Sequence, residues 1–148
     1  MHTIFFTEGV ETLNCVSPES PQGWNFCLGR ANRQIQFVAE NSTVKQLLGD
    51  LCCVYPQIHD CLDEKIGIRK DCPHKKANPT RFFKGIIDFV MKESLELVCS
   101  QYKTKSECES KNIEGIKRTA AIGDIPRDVD GIFLLTPIRR VLRRITDH

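Results

Sequence analysis

Residues 43–66, TVKQLLGDLCCVYPQIHDCLDEKI, decide how this chain folds. Val44, Leu47, Leu48, Leu51, Cys52, Tyr55, Ile58, Leu62 and Ile66 recur every three or four positions, which is the spacing of one helix face. Lys45, Asp50, Gln57, Asp63 and Glu64 are expected on the opposite, solvated side. A helix with one apolar stripe needs another element to cover it. The same stretch carries the adjacent pair Cys52-Cys53 and Cys61, three of the eight cysteines. The rest of the chain is therefore expected to pack on this segment and to be tied to it. Thr43 is placed to accept from the first free N–H groups of the helix. Pro56 removes one backbone donor and predicts a kink or a restart.

Upstream, residues 1–20 lack a clear period and read as an irregular arm anchored by Cys15. A helix is expected over 24–41, with Trp24, Cys27, Leu28, Ala31, Ile35 and Val38 at helical spacing. Downstream, Cys72-Pro73 and Pro79 make the basic stretch after residue 69 a loop. A third helix is expected over 81–102, buried through Phe83, Ile86, Ile87, Val90, Leu97 and Val98. A short fourth helix is expected over 106–112, and residues 115–130 read as loop. A last helix begins at Thr136-Pro137, with Ile138, Val141, Leu142 and Ile145 inward. Few runs alternate with period two. The expectation is one all-α domain, 1–148, a disulfide-stapled bundle of four to five helices with an irregular N-terminal arm.

At 148 residues and 41% hydrophobic content, the chain can bury a real core. The net charge of +2 is too small to imply nucleic acid. No run approaches the roughly 18 apolar residues of a membrane span. Ile4-Phe5-Phe6 is too short for a signal-peptide core, so the reading is of a mature chain with its leader removed and Met1 an added start. An even, high cysteine count points to disulfides in an oxidising compartment. Asn41-Ser42-Thr43 is an N-glycosylation acceptor triplet. Together these place the protein outside the cytosol, as a secreted glycoprotein.

Cys15, Cys27, Cys52, Cys53, Cys61, Cys72, Cys99 and Cys108 allow 105 pairings. Adjacent Cys52 and Cys53 point about 100° apart on a helix, so each needs its own partner. Local closure favours Cys61 with Cys72 and Cys99 with Cys108. Cys15 and Cys27 then take the adjacent pair, with Cys27–Cys52 and Cys15–Cys53 preferred.

No G-x-S-x-G turn and no glycine-rich phosphate loop occurs. Cys61, Cys72 and His74 lack paired short spacings, so neither a metal nor a cofactor is expected. Cys52-Cys53 followed by His59-Asp60-Cys61 resembles, in residue types though not in spacing, the active-site helix of secreted phospholipases A2. That resemblance implies His59 as general base and Asp60 as a calcium ligand. Five residues part Cys53 from His59, where the family has two, and the family's glycine-rich calcium loop has only residues 24–29 as a counterpart. The Cys-Cys pair is shared with plant lipid-transfer proteins, whose later Cys-x-Cys is absent here. The gap from Cys99 to Cys108 is similar to that of insect odorant-binding proteins, whose short early gap is absent. No catalytic residue is assigned, and hydrolysis stands as a distant third reading.

The leading expectation is a non-enzymatic extracellular binder of a macromolecule. Residues 69–84 hold six Lys/Arg against one Asp. Lys75 and Lys76, together with Arg139, Arg140, Arg143 and Arg144, are candidates for an anionic glycan, lipid surface or protein partner. The alternative is a carrier of a small hydrophobic ligand, since eight phenylalanines, Phe83 among them, offer lining for a cavity.

Overall fold

The computed structural model describes residues 10–123, without the side chains of 92–94, and Arg144. Among the described residues the main helices are α1 Ser20–Asn41, α2 Val44–Cys52, α3 Val54–Lys65, α4 Pro79–Leu95, α5 Lys105–Lys111 and α6 Ile113–Gly123. A further helical turn occupies 10–14, within what reads from sequence as an irregular arm. The fold is all-α. Among the described residues the extended structure amounts to an isolated bridge between Val16 and Ile68.

α1 lies chiefly against α3 and α6. Leu28, Ile35 and Val38 meet Leu47, Leu51, Val54, Ile58 and Leu62 in one cluster, to which α4 adds Ile87, Met91 and Leu95. Each of these side chains is buried, and burial contributes about 1.5–3 kcal/mol apiece. Gly23 permits the close approach of α1 to α3. A Cβ there would lie 2.6 Å from the Lys65 carbonyl oxygen.

Thr43 caps α2 as expected. Its hydroxyl accepts from Gln46 N–H, and Gln46 Oε1 accepts from Thr43 N–H, closing a capping box. The restart comes at Cys53, three residues before Pro56. Cys53 ends α2 and opens α3 with φ −83° and ψ 0°. Pro56 then falls in the first turn of α3, where its missing N–H is no loss.

Asp50 and Gln57, expected outside, are inside. Asp50 is 1% exposed and Gln57 is half-buried. Some of their partners, Arg118 and Thr119, come from α6, a segment that reads from sequence as loop. Asp50 accepts from Ser42 Oγ (2.7 Å), Asn112 Nδ2 (3.0 Å) and Arg118 Nη2 (3.1 and 3.2 Å). Gln57 Nε2 donates to Thr119 Oγ1 at 2.9 Å and to the Cys53 carbonyl. Gln34 Nε2 from α1 reaches Gln57 Oε1 (2.9 Å) and the Thr119 carbonyl (3.0 Å). Gly115 looks like a loop signal but is a contact requirement. A Cβ there would lie 2.1 Å from Asp50 Oδ1.

α4 starts at Pro79, where Asn78 Oδ1 accepts from Arg81 N–H. It ends at Leu95, short of residue 102, and 96–101 form turns that bring Cys99 back to Cys52. Leu97, expected in the buried stripe, is 93% exposed. The final helix expected from Thr136 lies outside the described residues.

The disulfides are Cys15–Cys72, Cys27–Cys61, Cys52–Cys99 and Cys53–Cys108. Cys52 and Cys53 do take different partners. The four expected pairings, Cys61–Cys72, Cys99–Cys108, Cys27–Cys52 and Cys15–Cys53, are all replaced. Helix face, not chain distance, decides. Cys61 shares the inward face of α3 with Ile58 and Leu62, so it meets Cys27 on the inward face of α1. Cys72 lies in the loop that the N-terminal arm crosses, where Arg69 N–H donates to the Cys15 carbonyl at 2.7 Å. Each bridge adds about 2–4 kcal/mol by restricting the unfolded chain.

Candidate ligand-binding cleft

Tyr55 and His59 stand one turn apart on α3, and Asp88, Met91 and Leu95 follow one face of α4. Tyr55 at the start of α3, Cys52 at the end of α2 and this face of α4 border a cavity of about 440 Å³. The Cys52–Cys99 bridge forms part of its wall, and Glu96, Tyr102 and Lys103 come from the turns after α4. That volume falls within the range of sites for small organic molecules, about 300–1,000 Å³.

One corner is polar. Tyr55 O–H donates to Asp88 Oδ1, and His59 Nε2 lies 2.7 Å from the same oxygen. The Tyr55 and His59 rings are 4.7 Å apart and tilted. Burial pushes the Tyr55 phenol well above its ordinary value, and the hydrogen bond and negative charge of Asp88 push it further. Tyr55 therefore stays a neutral donor that holds the carboxylate in place. The Asp88 side chain remains 46% exposed.

This corner bears on the phospholipase resemblance. His59 does meet a carboxylate, as an oriented base requires, but that carboxylate is Asp88. Asp60, the implied calcium ligand, is exposed and pairs with Lys105 Nζ at 2.9 Å, which raises the lysine's pKa. Among the described residues no group of three or more His, Cys, Asp or Glu is placed to hold a metal ion.

The other candidate residues lie elsewhere. All eight cysteines are bridged. Asn41 is exposed at the end of α1, with its Nδ2 donating to the Phe37 carbonyl. Lys75 and Lys76 are exposed in the loop between α3 and α4. Arg144 is directed at the last carbonyls of α1, donating to Val38, Ala39 and, at 3.1 Å, Ser42. A cation beside the last carbonyls of a helix is favourably placed. Arg139, Arg140 and Arg143 lie outside the described residues.

Among the described residues, no phenylalanine lines the cleft. Phe83 instead packs at a tilt against Trp24, ring centroids 5.1 Å apart, at the edge of the core. The lining residues Asp88, Glu96 and Tyr102 were missed in the sequence. Asp88 left a usable signal, because a carboxylate between Ile87 and Met91 interrupts an otherwise apolar face. No family model matches the chain, and neither curated proteins nor solved structures provide a match.

Proposed function

We propose that this protein is a secreted binding protein that holds a small, mainly apolar ligand in the cleft between α3 and α4. The observation that carries this reading is the cavity itself: about 440 Å³, walled by Met91, Leu95, a disulfide and two tyrosine rings, with one oriented carboxylate. Sites of this kind are mostly apolar, with a few placed polar groups that fix orientation. The bridge between Cys52 and Cys99 fastens α2 to the turns after α4, so the wall needs little ordering when a ligand enters. Four disulfides support an oxidising destination. Among the described residues, no helix is long and apolar enough to cross a membrane. The anionic-surface reading has less support, because Arg144 spends its donors on α1.

The test is titration of the disulfide-intact protein with the neutral fluorescent probe N-phenyl-1-naphthylamine. Saturable binding with one site per chain is expected. Met91→Trp fills the cavity and should abolish it, while Met91→Leu keeps the wall and should retain it. Binding that survives Met91→Trp in a protein of unchanged helical circular dichroism would show that the cleft is not the site.

A further inference from the structure

The charges and rings around the cleft narrow the ligand's chemistry. Asp88 and Glu96 bring two carboxylates to the lining, against one ammonium from Lys103. Lys103 is exposed, and its long stem lets the charge remain in water. Asp88 cannot withdraw in the same way. Tyr55 O–H and His59 Nε2 both engage its Oδ1, which fixes the carboxylate against the cavity wall. A carboxylate offers about four acceptor positions, so two contacts on one oxygen leave capacity for a ligand donor.

Tyr55 and Tyr102 present aromatic rings to the same volume. Ring faces attract cations, by about 0.5–2 kcal/mol according to solvation. Met91, Leu95 and the Cys52–Cys99 bridge supply the apolar remainder. An anionic ligand would bring its charge beside Asp88 and Glu96. A neutral ligand would strip water from the remaining acceptor positions of Asp88 without replacing it, which is costly.

We infer that the cleft selects an organic amine: a protonated nitrogen directed to Asp88 between the tyrosine rings, on a small aromatic or aliphatic body resting on Met91 and Leu95. This rests on the cleft being a ligand site, as proposed above.

The experiment uses three probes that share an indole ring, tryptamine (cationic), 3-ethylindole (neutral) and indole-3-propionate (anionic). Each competes with N-phenyl-1-naphthylamine on the disulfide-intact protein at neutral pH. Tryptamine should bind about 10-fold more tightly than 3-ethylindole, as a charge-assisted hydrogen bond with a ring contact warrants, and indole-3-propionate should bind weakest. Asp88→Asn should remove the preference for tryptamine, weakening tryptamine while 3-ethylindole binds at least as tightly as before, because no charge is then covered by it. Glu96→Gln, on an exposed turn with little folding role, should reduce the preference about two- to three-fold. Equal affinity for tryptamine and 3-ethylindole, or a preference that persists in both variants, overturns the amine inference alone. If no indole competes and N-phenyl-1-naphthylamine itself fails to bind, the cleft reading falls with it.

Discussion

Asp50 and Asp88 are both carboxylates on the inward side of a helix, and the molecule treats them oppositely. Asp50, between α2 and α6, is 1% exposed and accepts from Ser42, Asn112 and Arg118. Both of its oxygens are used by the chain itself. Asp88, between α3 and α4, takes Tyr55 and His59 on one oxygen, remains 46% exposed and borders open volume. A buried charge with every acceptor position answered internally serves the fold. An oriented charge with capacity to spare, facing a cavity, is what a binding site requires. The two seams therefore differ in kind: one carboxylate is sealed by the fold, and the other stays open where the proposed ligand would sit.

The largest effect should come from Asp50→Ala, which strands the Arg118 guanidinium and the Ser42 and Asn112 donors. Removing one partner of a buried pair costs about 3–5 kcal/mol. The lower end applies, since Arg118 is partly exposed and can rehydrate. Urea unfolding with the disulfides intact measures it, and a cost comparable with that of Asp88→Ala would erase the distinction between the seams.

Glycine substitutions probe the same contrast with opposite signs. Gly115→Ala drives a methyl into Asp50 and Asn112 and should destabilise by about 1–3 kcal/mol. At Gly85, in α4, a Cβ would meet nothing within 4 Å. Gly85→Ala should stabilise by about 0.4–1 kcal/mol, by restricting the unfolded chain in a helical position. Thermal unfolding midpoints of the two variants should move in opposite directions.

Asp88→Asn should cost less than about 1 kcal/mol, because the group is half solvated. Its clearer signature is Tyr55. A phenol whose folded pKa is raised adds stability that is present below its ordinary value of 10.0 and is lost as pH climbs above it. Removing the Asp88 charge leaves the burial effect and an amide oxygen that can still accept from the phenol, but it removes the repulsion of the phenolate by Asp88, so Tyr55 should ionise at lower pH. Ultraviolet phenolate absorbance follows this directly, and an unchanged profile would detach Tyr55 from Asp88.

The smallest effect belongs to the exposed pair of Asp60 and Lys105. Lys105→Gln should leave the urea midpoint unchanged, since the ammonium is in open solvent. A measurable loss there would mean that position on the surface, rather than satisfaction in the interior, orders these carboxylates.

Much of the architecture is legible in local chemistry. Thr43 and Gln46 announce the start of α2, and the apolar period from Leu47 to Leu62 marks the inward face of α2 and α3. The contrary cases are specific. Pro56 correctly signals a broken segment, yet the break falls at Cys53, because proline is best tolerated inside a first turn. α6 reads as loop because Gly123, Pro126 and alternating charges look like punctuation, while its helical partners, Asp50 and Gln34, are far away in sequence. Leu97 fits the period of α4 but is exposed, because the chain must turn to deliver Cys99 to Cys52.

The sequence by itself determined that this protein is helical, that its cysteines are bridged, and where its central helices begin. Periodicity, capping and cysteine parity are local or countable properties. Tertiary structure alone decided which cysteines pair, which carboxylate is sealed and which is open, and that two tyrosines and Asp88 share a cavity. Those outcomes depend on which helix faces meet, and residues as distant as Asp50 and Arg118, or Tyr55 and Asp88, become neighbours only when the core closes.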